Sequence, residues 1–395
     1  MYIRGRHAHT LGASGAGVSE TLLQFGGGGF LRAFVDLFLH EANSADDEYG
    51  RAVVVTSTES PRSRWINEQN GRYHVAIRGL RDGGRVDDTV EVTGALSRSL
   101  VAGDDWAGVL EAARSPDLRW VTSNTTEAGF ALDPRDHAGV RATAMGAETP
   151  QAPRSFPAKL LAVLAYRMQS GLPPVTVLPC ELIEDNGPAL LDLLRAQADI
   201  WGLPGDLLDA VATCPVPSTL VDRIVSGRPE EHPLLGQDRL LTVAEPFASW
   251  VVEQQPGLDL FPHPAIAITD DVGDYSLRKV RILNGAHTAL VCKTHLMGIE
   301  TVGDAVAHQA VGPWLRRVLV DEILPVVSDR VVDGESFAET TLERFANPYQ
   351  QHRLADIALH HETKVSTRLL PTYHEYLEMF GKPPTLLGEV LQPFL

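Results

Sequence analysis

The sequence predicts an α/β fold followed by an all-helical region, and three observations carry that reading. Short apolar runs bounded by glycine, proline or hydroxyl residues recur through the first two-thirds of the chain, with helical stretches between several of them. That alternation builds a parallel sheet. One such run, residues 21–25, meets four consecutive glycines, Gly26 to Gly29, ahead of a helical pattern. From Lys279 onward the strand signals stop and only helical periodicity remains. The boundary expected from this change puts residues 1–278 in a first domain and 279–395 in a second.

Composition narrows the classes. At 395 residues, with 44% hydrophobic and 22% charged side chains, the chain is an ordinary globular one, long enough for two cores. A net charge of −17 argues against nucleic acid or an anionic membrane surface as a partner. An anionic substrate would therefore need a local basic pocket. Cys180, Cys214 and Cys292 are odd in number and widely spaced. They form neither a disulfide framework nor a metal-binding set, and they fit a reducing cytoplasm. No run reaches the apolar length of a membrane span, and Arg4, Arg6, His7 and His9 lead no signal-peptide segment. The expected location is the cytoplasm.

Taken in order, residues 21–25 form a strand, Gly26 to Gly29 a turn and residues 30–39 a helix. Strand, glycine turn and helix is the layout that sets a pyrophosphate on a helix N-terminus. A glycine-rich turn also occurs in loops without a ligand, and Leu31 stands where a third spaced glycine would be. Residues 51–55 make the next strand, ending in Thr56, with Glu59, Arg62 and Arg64 beyond. An acid suits a ribose 2′-hydroxyl and arginines suit a 2′-phosphate, so the residues leave NAD and NADP both open. Residues 73–78 and 86–92, around Gly83 and Gly84, read as a hairpin.

Residues 118–122 are a buried strand running into Ser123, Asn124, Thr125, Thr126 and Glu127. That segment is either a ligand loop at a strand's carboxyl end or a hydroxyl-rich turn capping the next element. Residues 174–178 form another strand, and Asn186 stands before the helix 188–200 as an N-cap candidate. Asp222 and Arg223 are either ligand-orienting or a structural ion pair. Residues 244–253 read as a late strand and turn. Helices follow at 302–311, 314–324 and 336–345, with Asn347 and Pro348 ending the last.

Residues 277–291 are apolar around nearly the whole helical circumference, the mark of a buried helix. Yet Lys279, Asn284 and His287 fall within an arc of about 140° at roughly 100° per residue. A buried lysine lowers its pKa. Beside a histidine and a carboxamide it becomes a proton donor and acceptor near neutral pH. The alternative is that Lys279 snorkels, His287 is a satisfied core histidine and Asn284 bends the helix at Gly285.

The spacing of Lys279, Asn284 and His287 resembles that of the polyol-specific long-chain dehydrogenases, the mannitol dehydrogenase family. Gly26, Gly28, Phe30 and Arg32 match that family's glycine-loop wording. Residues 123–129 and 179–183 are similar to its tagaturonate reductase (altronate oxidoreductase) branch. Mannitol and mannonate enzymes read Cys-Asp-Asn where this chain has Cys180, Glu181 and Leu182, so one asparagine donor to the substrate carbonyl is missing. The likeness runs from about residue 22 to 371.

That resemblance implies a Rossmann-type dinucleotide-binding domain with an inserted β-hairpin, followed by an all-α substrate domain. It implies NAD as cofactor, with no metal. Phe25, Gly26, Gly27, Gly28, Phe30, Arg32, Asn124, Thr125, Glu127 and Asp222 would surround the cofactor. Lys279 would be the acid–base, Asn284 the oxyanion donor and His287 an orienting group. Lys364 matches a substrate-facing position, and His352 and Arg368 join it on charge alone. The implied reaction is tagaturonate reduced by NADH to altronate, with fructuronate/mannonate or a neutral polyol as the second choice. A non-catalytic NAD-binding sensor is the reading from another class, opposed by the intact register of Lys279, Asn284 and His287. The family continues beyond residue 395, so pocket closure and stability are where a short C-terminus would act. The expected partner is a small sugar acid, with the chain a monomer or small homo-oligomer.

Overall fold

A computed structural model describes residues 19–44 and 48–395; the first residues, with Arg4, Arg6, His7 and His9, lie outside them. The strands in chain order are β1 (Glu20–Phe25), β2 (Arg51–Thr56), β3 (Tyr73–Arg81), β4 (Gly84–Val92), β5 (Leu96–Val101), β6 (Trp120–Ser123), β7 (Thr176–Pro179), β8 (Thr219–Asp222), β9 (Val225–Gly227), β10 (Thr242–Ala244), β11 (Ser249–Glu253) and β12 (Ile266–Thr269). The main sheet has the order β5-β2-β1-β6-β7 and every pairing in it is parallel. Side chains alternate across a strand, and here the alternation feeds two cores. Leu23, Phe25, Val53, Val55, Val121 and Val177 pack on one face. Leu22, Val54, Trp120 and Leu178 pack on the other. With both faces covered, the strands read as continuous apolar runs. This is the Rossmann-type arrangement.

The expected hairpin is present, β3 and β4 pairing in full register from Tyr73–Val92 to Arg81–Gly84. Asp82 and Gly83 turn it with positive φ at both residues, as tight hairpins require. The hairpin is half of a larger unit, a sheet of order β4-β3-β10-β9, and a third sheet runs β12-β11-β8. These deliver Asp222 and Glu245 to the ends of β8 and β10.

Two local expectations need correction. The helix expected over 30–39 is two helices, Gly29–Arg32 and Val35–Asn43, broken at Phe34. The carbonyls at the break are used by distant side chains: Tyr73 Oη donates to Arg32 O at 2.7 Å and Arg223 Nη1 to Ala33 O at 2.9 Å. Asn186 is not an N-cap but the first residue of the helix Asn186–Trp201. Its amide nitrogen donates to Pro179 O, Glu181 O and Thr219 O, each at 3.1 Å, and its oxygen accepts from Thr219 N at 2.8 Å. It ties the ends of β7 and β8 together.

From Gly273 the chain becomes helical around its own core, in which Ile282, Ala286, Ala289 and Leu290 are fully buried. The central rod is Gly273–Arg278, Lys279–Asn284 and Gly285–Thr294, and its middle segment is a π-helical turn. Gly285 keeps ordinary α geometry, φ −60 and ψ −49, so the helix is not bent there. The irregularity lies in the wider turn before it. Among the described residues no helix is long and apolar enough to cross a membrane.

Candidate active site

β1 lies where the sheet's connections reverse: the chain runs to β2 and β5 on one side, then crosses to β6 and β7 on the other. Ligands in open parallel sheets sit outside the strand ends at such a point. Gly26, Gly27 and Gly28 make the turn there. Gly26 has φ +125, a conformation that favours glycine, and a side chain at Gly28 would meet nothing within 4 Å, so its backbone is open to a ligand. The loop after β6 flanks this turn, Asn124 N donating to Phe25 O at 3.3 Å. A dinucleotide's phosphates fit this cradle.

A cavity of about 540 Å³ opens between these strand ends and the helical region. Phe30, Asn124 and Asp222 line it from the sheet side, with Leu182. Lys279, Asn284 and His287 line it from the rod, and His352, Lys364 and Arg368 from the segment beyond. Residues spread over more than 330 positions of sequence therefore share one space, roughly the size of a small-ligand site.

Phe25, Arg32 and Thr125, also predicted for the cofactor, are not part of that lining. Phe25 is core, 5.4 Å from the Phe156 ring. Arg32 is buried and braces the glycine turn, donating to Gly27 O at 2.5 Å and Leu240 O at 3.0 Å. Both of its Nη groups are thereby taken up by backbone carbonyls. Thr125 N donates to Glu181 Oε1 at 2.8 Å. The side chain of Glu127 lies outside what the structure describes.

Lys279 Nζ donates to Val221 O at 2.8 Å at the end of β8. Burial pushes its pKa down, while the carboxylate of Asp222 pushes it back up and Arg344 lowers it. The Asn284 amide makes no hydrogen bond among the described residues and is free to donate. His287 stacks on Phe345, ring centres 4.1 Å apart, with His352 edge-on at 4.8 Å. Burial first, then His352, Arg344, Arg368 and Lys364, hold its pKa well below the usual histidine value, so the ring is neutral.

The feature that sequence reasoning missed is Arg344. It is 5% exposed and donates to both oxygens of Asp222, at 3.1 and 2.9 Å, and to both of Glu245, at 3.1 and 2.8 Å. The expected pairing of Asp222 with Arg223 does not occur. Arg223 stands just past the end of β8 and donates instead to the carbonyls of Glu245 and Ala33. Glu181 was also missed as a brace: its buried carboxylate accepts from Ser123 Oγ at 3.1 Å as well as from Thr125 N, joining the loops after β6 and β7. Leu182 is left 71% exposed at the cavity. Among the described residues no group of three or more histidine, cysteine, aspartate or glutamate side chains is placed to hold a metal ion.

The family model described as the mannitol dehydrogenase Rossmann domain matches residues 20–260, and that of the mannitol dehydrogenase C-terminal domain matches residues 271–391. A protein named altronate oxidoreductase from Halalkalibacterium halodurans is 37% identical, the match covering 93% of this chain and 73% of that protein. Another of that name from Bacillus subtilis is 38% identical, covering 93% and 77%. In fold, the chain is similar to a D-sorbitol dehydrogenase in substrate-free form, TM-score 0.78 at 23% identity, over 92% of this chain and 77% of that one. It is also similar to Pseudomonas fluorescens mannitol 2-dehydrogenase in ternary complex with NAD and D-mannitol, TM-score 0.73 at 22% identity, over 95% and 78%.

Proposed function

The chain belongs to the mannitol dehydrogenase family, and from that premise we propose that it is an NAD-dependent oxidoreductase interconverting a keto-uronate and its aldonate. Tagaturonate, reduced to altronate with NADH, is the substrate this reading names, after the relatives called altronate oxidoreductase. The observation that carries it is the meeting of Lys279, Asn284 and His287 with Lys364 and Arg368 in one cavity that Phe30, next after the glycine turn, also lines. The division of the chain into residues 1–278 and 279–395 is part of the same reading.

A bound nicotinamide supplies the hydride for reduction and accepts it in oxidation. Gly26 to Gly28 would hold its phosphates, and Phe30, Asn124 and Asp222 line the cavity that its ring would reach. Lys279 gives a proton to the forming alcohol oxygen, or takes it from the alcohol in the reverse direction. Its depressed pKa brings that exchange towards neutral pH. Asn284 donates to the oxygen as negative charge develops on it, an interaction that strengthens towards the transition state. Leu182 offers no second carboxamide, so Lys279 and Asn284 carry that charge. His287 orients the oxygen.

Lys364 and Arg368 hold the carboxylate of the sugar acid, with His352 beside them. Neither cation pairs with an acid among the described residues, and a chain of net charge −17 needs such a local exception. NAD is named over NADP on the family likeness, since Arg62 and Arg64 beyond β2 would themselves suit a 2′-phosphate. The protein works as a soluble enzyme in the cytoplasm, without a metal.

Oxidation of NADH, and of NADPH in parallel, by the purified chain with tagaturonate, fructuronate and fructose side by side tests this. Fastest turnover with tagaturonate and NADH is expected. Faster turnover with fructose would overturn the sugar-acid assignment. NADH binding with no turnover of any of them would favour a sensor.

A further inference from the structure

We infer that one ordered water in a small chamber behind His287 joins that histidine to Gln350 and fixes which ring nitrogen carries the proton. The chamber measures about 10 Å³, room for a single water. His287 lines both this chamber and the large cavity, as do Ile224, Arg344 and His352, so these side chains stand between the two spaces. Two side-chain atoms of the chamber's lining are buried without a hydrogen-bond partner: Nε2 of His287 and Nε2 of Gln350. Buried polar groups are almost always paired, by protein or by ordered water, so two orphans bordering one water-sized space point to a shared partner. Gln350 is set there by the turn after the helix Gly334–Phe345, its backbone N–H donating to Asn347 O at 3.3 Å.

The polarity of the bridge follows from its partners. The Gln350 amide nitrogen is a donor, and so is Arg344, which also borders the chamber. A water between them accepts, and its own hydrogens then need an acceptor. The buried one without a partner is the Nε2 lone pair of His287. A neutral ring that accepts at Nε2 carries its proton on Nδ1. His287 thereby enters the large cavity as a hydrogen-bond donor to the substrate oxygen. Gln350 is a positioning residue: it acts on the substrate through the water and the ring, and touches neither substrate nor cofactor.

This inference rests on the proposed role of His287, but its test does not need a substrate. Nitrogen-15 NMR of the histidine-labelled full chain, with the His287 signal assigned by its loss in His287→Gln, reports the tautomer directly. The Nδ1–H form is expected in the unchanged protein. Gln350→Glu replaces the amide donor with an acceptor and should turn the water round, moving the proton to Nε2. Gln350→Leu should give a mixed tautomer. On the same reading it should lower kcat with the sugar acid about fivefold to tenfold, the effect of one lost hydrogen bond, with KM for NADH unchanged. An Nε2–H tautomer in the unchanged protein, or a tautomer indifferent to both Gln350 variants, would overturn the inference. If no substrate turns over but the tautomer responds as stated, the reaction assignment fails and the water bridge stands.

Discussion

Arg344 and Arg368 border the same cavity, and they differ in what already holds their charge. Arg344 sits between Asp222 and Glu245 with four hydrogen bonds of 2.8 to 3.1 Å. Arg368 has one long contact, 3.4 Å to Thr288 Oγ1, and no carboxylate among the described residues. A guanidinium saturated by the fold is a fastener: it pins the helix Gly334–Phe345 to the ends of β8 and β10. One left unsaturated beside a cavity is available to a ligand. The difference teaches that lining a pocket and binding in it are separate properties, and that the partner list distinguishes them.

The largest expected effect concerns another cation of this space, Lys279. Lys279 donates to the Val221 carbonyl and has no other hydrogen bond among the described residues; on the proposed acid–base role, Lys279→Ala should lower kcat by about a hundredfold to ten-thousandfold. NADH binding, followed by fluorescence titration, should barely change; near-normal turnover would remove the acid–base role. Next in size, Arg344→Ala strands two buried carboxylates and should cost about 3–5 kcal/mol of stability in denaturant unfolding. If instead it left stability intact and raised KM for the sugar acid alone, the two arginines would have exchanged roles.

Arg368→Ala should do what Arg344→Ala does not. The loss of one charge-assisted hydrogen bond, about 1.5–3 kcal/mol, should raise KM for the uronate at least tenfold and leave unfolding nearly unchanged. An equal loss with a neutral polyol would argue against a carboxylate contact.

The smallest effect extends the comparison to acids. Asp222, beside Arg344, has its pKa held below the usual carboxylate value, although burial alone would raise it. Its contribution to stability is present at neutral pH and lost as pH falls. Asp36, buried with only the Gln24 amide at 3.2 Å, is pushed by desolvation from 3.8 up to about 7. Between those values the folded protein keeps a proton that the unfolded chain has released. The Asp36 contribution therefore falls as pH rises through that window. Asp36→Asn should flatten that slope in thermal unfolding measured from pH 4 to 7; an unchanged slope would assign it to other groups.

What the sequence made legible was local. The strand, glycine turn and helix at residues 20–43, and the apolar rod carrying Lys279, Asn284 and His287, announce themselves through spacing within a few turns of chain. The fastener does not, because Arg344 lies 122 residues from Asp222 and 99 from Glu245 and no local pattern joins them. Asn186 misled for a related reason: the same amide that caps helices can bridge strands, and only the tertiary fold decides. β9 and β10, three residues each, are too short to show an alternation. The π turn has no residue-type signature at all.

That turn has a consequence for how this segment can vary. A π turn inside an α-helical rod is equivalent to one extra residue in the register, and its removal rotates everything downstream by about 100°. Substitutions within 279–284 alter side chains in place. Regular α-helix over the same residues would swing Asn284 and His287 away from Lys279 and turn part of the rod's buried face outward at the same time. The wider turn is thus as much a part of this cavity as the three side chains, because it sets the register in which they face one space.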